Sequence, residues 1–282
     1  MRSYGCVQTR LAASPRQLQY LLHPALGLFL LLPFIAAHAG DRLALVIGNA
    51  NYITRPLVNS ANDAKAMKQK LEALGFKVVY QIDADDKSLK KSVREFLNAA
   101  PKYKVRMLYY SGHGVQVSGD NYLLPISPVI ENPDHLRKMG TSVSAIIDHL
   151  RGGDNKLNIV VLDACRDTPF PISSTRGLFN DLVGKAPKSG LAMVNAGRGT
   201  LIAYATEPGK VAYDGKGPNS PFTRRLIEYM DQPGLTLQAM FQQVANGVYL
   251  DTVGKQLPWL SYSLVGGEFC FKANEQGRCG NA

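Results

Sequence analysis

His113 and Cys165, each closing an apolar run, are the residues best suited to do chemistry in this chain. His113 lies in Tyr109-Tyr110-Ser111-Gly112-His113-Gly114, and Cys165 in Leu162-Asp163-Ala164-Cys165-Arg166-Asp167. A thiol is a weak nucleophile until it ionises, and a neighbouring imidazole lowers its pKa. The imidazole can then serve as base toward the thiol and as acid toward a leaving amine. The glycines flanking His113 let a substrate carbonyl approach the backbone. The N–H groups of Gly114 and Cys165 could stabilise an oxyanion. Taken singly, Cys165 reads as core packing and His113 as a loop residue. Taken together at matching strand ends, they predict a nucleophile and its base. The alternatives for the base are His135, in a polar loop, and His149, beside Asp148 on a surface helix.

Counting the remaining cysteines sharpens that choice. Residues 1–39 carry Arg2, Arg10 and Arg16 and no acid, then an apolar run from Ala25 to Ala37 and an Ala37-His38-Ala39 site. This order of charge, apolar core and small residues reads as a secretory signal peptide cleaved after Ala39, with an uncleaved anchor as the alternative. Pro33 breaks the run short of the ~20 residues a spanning helix needs. Cleavage takes the formal charge from +10 to +7, the cysteines from four to three and the histidines from five to three. The mature chain is then exported, to the periplasm or the medium, where disulfides persist. Cys270 and Cys279 are close enough to close a small loop in a tail over 273–282. Without a local histidine or a second cysteine pair they are too few ligands for zinc. Cys165 is left as the unpaired thiol, and the chemistry calls for no metal and no cofactor.

The basic balance is less informative. Lysines and arginines are scattered with no run of five or six, so they read as solvated surface. No nucleic-acid partner is expected, and no membrane contact after signal cleavage.

The elements around these residues alternate. Apolar runs at 42–47, 77–82, 105–111, 157–163 and 200–206 read as strands, and amphipathic stretches at 62–74, 88–100, 141–150, 220–230 and 235–249 as helices. Such alternation predicts βαβ units and a mostly parallel central sheet flanked by helices. Sites in these sheets gather at the carboxyl ends of the strands, where His113 and Cys165 stand. Two long connections, 112–140 and 166–199, exceed ordinary loop length, and Gly119-Asp120-Asn121 suggests a hairpin tip inside the first.

The pair of motifs resembles the caspase and metacaspase clan, in particular its bacterial caspase-like members, with Ser-Gly-His-Gly and Asp-x-Cys at these strand ends. His113 stands 52 residues before Cys165, near the spacing of about 50 in caspases. Supporting segments are Leu45-Val46-Ile47-Gly48-Asn49, Asn62-Asp63-Ala64, Tyr204 to Gly209, and Asn219-Ser220-Pro221-Phe222-Thr223. The resemblance covers about residues 41–272. It implies a caspase-like α/β domain over 40–272 and a cysteine endopeptidase acting on peptide or protein substrates.

Caspases that cut after Asp carry Gln two residues before the nucleophile, whereas this chain carries Asp163, as metacaspases and paracaspases do. In those relatives this Asp and the Asp of the Asn-Asp pair line an acidic S1 pocket. Carried over, Asp163 and Asp63, with Ser111, would bind a P1 Arg or Lys, because a partly desolvated carboxylate pairs well with a guanidinium. Asp63 also reads as an ordinary helix-start carboxylate, and Asp120 is a weaker third candidate. In the clan the segment after the nucleophile can be cut on activation, and here it holds Arg176, Lys185, Lys188 and Arg198. A caspase-fold binding or regulatory module without catalysis is the alternative that the intact His113/Cys165 pair argues against.

Overall fold

A strand buried along its whole length belongs inside a sheet covered on both faces, and Arg42–Gly48 (β1) is such a strand, buried from Leu43 onward. The computed structural model describes residues 40–127, 133–151, 156–165, 190–210 and 212–280. The expected signal and most of the connection after Cys165 lie outside the described residues. β1 is followed by α1 (Ser60–Ala73), β2 (Lys77–Ile82), α2 (Asp86–Ala99), β3 (Val105–Val117) and β4 (Asp120–Leu123). Then come α3 (Pro133–Met139), β5 (Thr141–Ser142), α4 (Val143–Leu150), β6 (Leu157–Cys165), β7 (Thr200–Tyr204), α5 (Pro221–Met230), α6 (Leu237–Asp251) and β8 (Trp259–Ser263).

The main sheet runs β2-β1-β3-β6-β7-β8. Its pairings are parallel except for β8, which lies antiparallel to β7. Strand side chains alternate between faces, so each strand feeds two cores. Ala44, Val46, Met107, Tyr109 and Val161 pack with α1, α5 and α6. Leu43, Leu45, Ile47, Leu108 and Val160 pack with α2 and α4. The predicted mostly parallel sheet flanked by helices is therefore the architecture found.

Several boundaries differ from the sequence reading, each for a local reason. β3 and β6 do not stop at Ser111 and Asp163; both continue through His113 and Cys165. The last part of β3 pairs antiparallel with β4, and the two-residue tip is Ser118-Gly119, with φ of 51° and 85°. A two-residue type I′ turn needs positive φ at both positions, which puts the tip one residue earlier than predicted. His135 sits on the short helix α3 rather than in a loop, while His149 is exposed on α4 as expected. β8 has no sequence counterpart because it is an edge strand with Trp259 and Tyr262 exposed, so no buried alternation marks it.

α1 carries Asp63 and must lie close to β1. Gly48 permits this, since a Cβ there would come within 2.5 Å of both the Ala64 Cβ and the Ser60 carbonyl. The other end of β1 is tied to the C-terminal segment. The Arg42 guanidinium donates to the Leu74 and Phe271 carbonyls and lies over the Phe76 and Phe269 rings. Cys270 and Cys279 form the expected disulfide, and Gly280 N–H donates to the Gly234 carbonyl, so the tail is packed onto the domain. Gly48→Ala is expected to lower unfolding free energy by about 1–3 kcal/mol, the usual cost of overpacking, as read by a urea melt.

Candidate active site

Parallel pairing of β3 with β6 sets Ser111 beside Asp163, Gly112 beside Ala164 and His113 beside Cys165. Neighbouring strands are about 4.8 Å apart, so both motif residues occupy one register position at the carboxyl end of the sheet.

His113 is buried and held on several sides. Its Nε2 lies 2.7 Å from the Arg55 carbonyl oxygen. A carbonyl only accepts, so Nε2 carries the proton, and in the neutral ring the lone pair belongs to Nδ1. Arg55 adopts φ of 57°, a left-handed conformation that side chains disfavour. The Tyr52 ring lies 4.3 Å from the imidazole, tilted by 55°, and the Tyr52 hydroxyl accepts the His113 N–H at 2.9 Å. The Tyr110 hydroxyl donates to the His113 carbonyl at 2.6 Å. Asn49 bridges three segments: its N–H donates to the Ser111 carbonyl, its Nδ2 to the Leu124 carbonyl, and its Oδ1 accepts from Ala84 N–H.

These tyrosines also account for Gly112, where a Cβ would lie 2.6 Å from the Tyr110 hydroxyl and 2.8 Å from that of Tyr52. The motif glycine makes room for the groups that hold His113, a reason distinct from the substrate approach expected for it. At Gly114 a Cβ would press on Leu191 Cδ2 at 3.0 Å.

Two carboxylates gather two residues back along the same strands, at the Ser111–Asp163 position. Asp63 is not a solvated helix-start group: it is buried on the α1 face that also buries Ala64, Met67 and Leu71. Asp63 Oδ1 accepts from Asn219 Nδ2 at 2.9 Å and Ser220 N–H at 3.0 Å, and Ser111 Oγ reaches Oδ2 at 3.5 Å. Asp163 Oδ2 accepts from Ser220 Oγ at 2.5 Å and Thr223 Oγ1 at 2.8 Å. Ser220 thus links Asp63 and Asp163, and Ser111 lies against Asp63. Asp120 is not part of the group: it accepts from Asn121 N–H, Ser142 Oγ and Ser144 N–H, and so ties the hairpin to α4.

Burial, then the charge of Asp163, pushes Asp63 up to about 8, against the hydrogen bonds from Asn219 and Ser220. Burial raises Asp163 to about 6, with the two hydroxyl donors opposing it. The charge of Asp214 raises both. Asp214 was not anticipated from the sequence. It lies in the loop before α5, its Oδ2 accepts from Val58 N–H and its carbonyl from Asn59 Nδ2. Nothing in the spacing of a loop acid ten residues past β7 distinguishes it. Tyr52 went unnoticed for the same reason.

Comparison with known proteins supports the fold. The caspase domain family matches residues 41–269. Mucosa-associated lymphoid tissue lymphoma translocation protein 1 of Homo sapiens is 32% identical over 130 residues, or 45% of this chain. Its Mus musculus homolog is 31% identical over the same length. The matched stretch spans only 15% of either relative.

A carboxyl raised on folding favours the folded state at low pH and loses that benefit as pH rises through its folded value. Asp63→Asn keeps the oxygen that accepts from Asn219 and Ser220 but cannot ionise. It is expected to leave the melting temperature nearly unchanged below about pH 4 and to raise it by a margin that grows from there to about pH 8, as read by calorimetry.

Proposed function

The chain belongs to the caspase domain family, and from that premise we propose that it is a cysteine endopeptidase cutting after Arg or Lys. The observation that carries the proposal is the β3–β6 register, which pairs His113 with Cys165 and Ser111 with Asp163. In the proposed reaction His113 Nδ1 takes the thiol proton as the Cys165 sulfur attacks the scissile carbonyl carbon. The C–N bond breaks as His113 returns the proton to the leaving amine, and a thioacyl enzyme remains. Water then attacks that carbonyl, giving up a proton to His113, and the thiol is released. The Gly114 and Cys165 N–H groups are proposed to hold the oxyanion.

The basic P1 preference rests on the buried carboxylates. A guanidinium or ammonium entering between Asp63 and Asp163, with Ser111 alongside, meets charge already stripped of water, where pairing is strong. Protein substrates fit this reading, and no cofactor is required. Residues 1–39 are proposed as a cleaved export signal, which places the mature enzyme outside the cytoplasm. Arg176, Lys185, Lys188 and Arg198 make the connection after Cys165 a substrate for the same specificity.

With fluorogenic peptides differing only at P1, the wild type is expected to cleave after Arg or Lys. Cys165→Ala is expected to lose at least about 10³-fold of that activity. Cleavage after Asp alone would contradict the proposed specificity. A purified wild type is expected to clip itself between 166 and 199 while Cys165→Ala stays whole; equal clipping of the two would exclude self-cleavage.

A further inference from the structure

The segment Asn219-Ser220-Pro221-Phe222-Thr223 is not used by the proposed reaction, yet it touches both carboxylates. Building on the reading of Asp63 and Asp163 as a site for a cationic side chain, we infer that Ser220 and Thr223 are positioning residues for substrate specificity. Through two hydroxyl hydrogen bonds to Asp163 Oδ2 they hold that carboxylate as the anion that faces the substrate.

The direction of each hydrogen bond follows from proton counting. Ser220 Oγ accepts Thr223 N–H at 3.0 Å, as the N-cap of α5. Its own proton is then available to Asp163 Oδ2, 2.5 Å away. Ser220 N–H meanwhile donates to Asp63 Oδ1, so one residue reaches both acids. Thr223 Oγ1 lies 2.8 Å from Asp163 Oδ2 and 2.5 Å from the Tyr109 hydroxyl. A carboxylate only accepts, so Thr223 donates to Asp163 and Tyr109 donates to Thr223. A directed chain from Tyr109 through Thr223 thus ends on the same oxygen that Ser220 serves.

Capping alone does not require this arrangement. An N-cap needs the Ser220 hydroxyl and the Thr223 N–H, but not the Thr223 hydroxyl. Thr223 is 0% exposed, where an apolar side chain would pack without the cost of burying a hydroxyl. The Tyr109 hydroxyl is equally buried and is kept neutral by its surroundings. Two hydroxyls held in the core and aimed at one oxygen act on the charge of that oxygen. Hydrogen bonds to an ionised group are roughly twice as strong as neutral ones, and the amino end of α5 adds its dipole.

The groups facing Asp163 are Asp63 on α1, Asp214 in the loop before α5, and Tyr109 and Ser111 on β3. Against the burial and the neighbouring acids, the Ser220 and Thr223 hydroxyls at the start of α5 favour its ionised form.

The test is Thr223→Val, which keeps the shape and removes the donor. Two readouts are used: cleavage of a P1-Arg peptide as a function of pH, and calorimetric binding of agmatine, which needs no turnover. KM and the agmatine Kd are expected to rise about 10-fold. The low-pH limb of kcat/KM should move toward neutral pH, while kcat and the rate of Cys165 alkylation by iodoacetamide change little. Thr223→Ser should restore all of these. If Thr223→Val is unstable, Tyr109→Phe/Thr223→Val removes the stranded phenol and gives the same comparison. A folded variant with wild-type KM, agmatine Kd and pH limb overturns the inference, as does a variant whose alkylation rate falls along with its affinity. A wild type that neither cleaves after Arg or Lys nor binds agmatine overturns the underlying reading, and the inference with it.

Discussion

The register between β3 and β6 is the constraint on which the rest of the molecule depends. Side chains on a strand alternate with period two, so a slip of one residue would send each functional position to the opposite face. Ser111 and His113 share one parity on β3, and Asp163 and position 165 share one on β6. Tyr109 and Val161, of the same parities, belong to the core beneath α1, α5 and α6. That core supplies Asp63 from α1 and the Asn219–Thr223 segment at the start of α5. Hydrophobic packing of the sheet therefore selects the face on which all the polar groups meet. The other face, filled by Leu108, Val160, α2 and α4, also holds Tyr110, whose hydroxyl reaches the His113 carbonyl.

Burying two acids beside each other opposes folding, and the structure distributes that cost over several donors. Amide groups serve Asp63 and hydroxyls serve Asp163. Unpaired buried charge is among the most destabilising features a core can hold, so this is a place where the fold gives up stability. The packing of Gly48 against α1 and the tie between Arg42 and the C-terminal segment strengthen the scaffold on either side of it.

Much of this was legible in the sequence. The central strands, the helices between them and the pairing of His113 with Cys165 follow from apolar periodicity and from two motifs with specific spacing. Asp63 was ambiguous on sequence alone, because a helix-start carboxylate and a buried one look identical until the direction of the helix face is known. What the sequence did not reveal depends on partners distant along the chain. Tyr52 meets His113 from 61 residues away, and Ser220 meets Asp163 from 57 residues away. β8 escaped because an edge strand with exposed aromatics lacks a period, and α3 because it is a single short turn-rich helix. The end of β3 was set too early because glycines read as stops, whereas at Gly112 and Gly114 they let the strand continue through crowded surroundings.

The partner of His113 Nε2 is a backbone atom, the carbonyl of exposed Arg55. A main-chain oxygen survives every side-chain replacement, so alanine scanning would pass over the group that sets the tautomer of this histidine. The orientation of the imidazole is thus inherited through the path of the loop that carries Arg55.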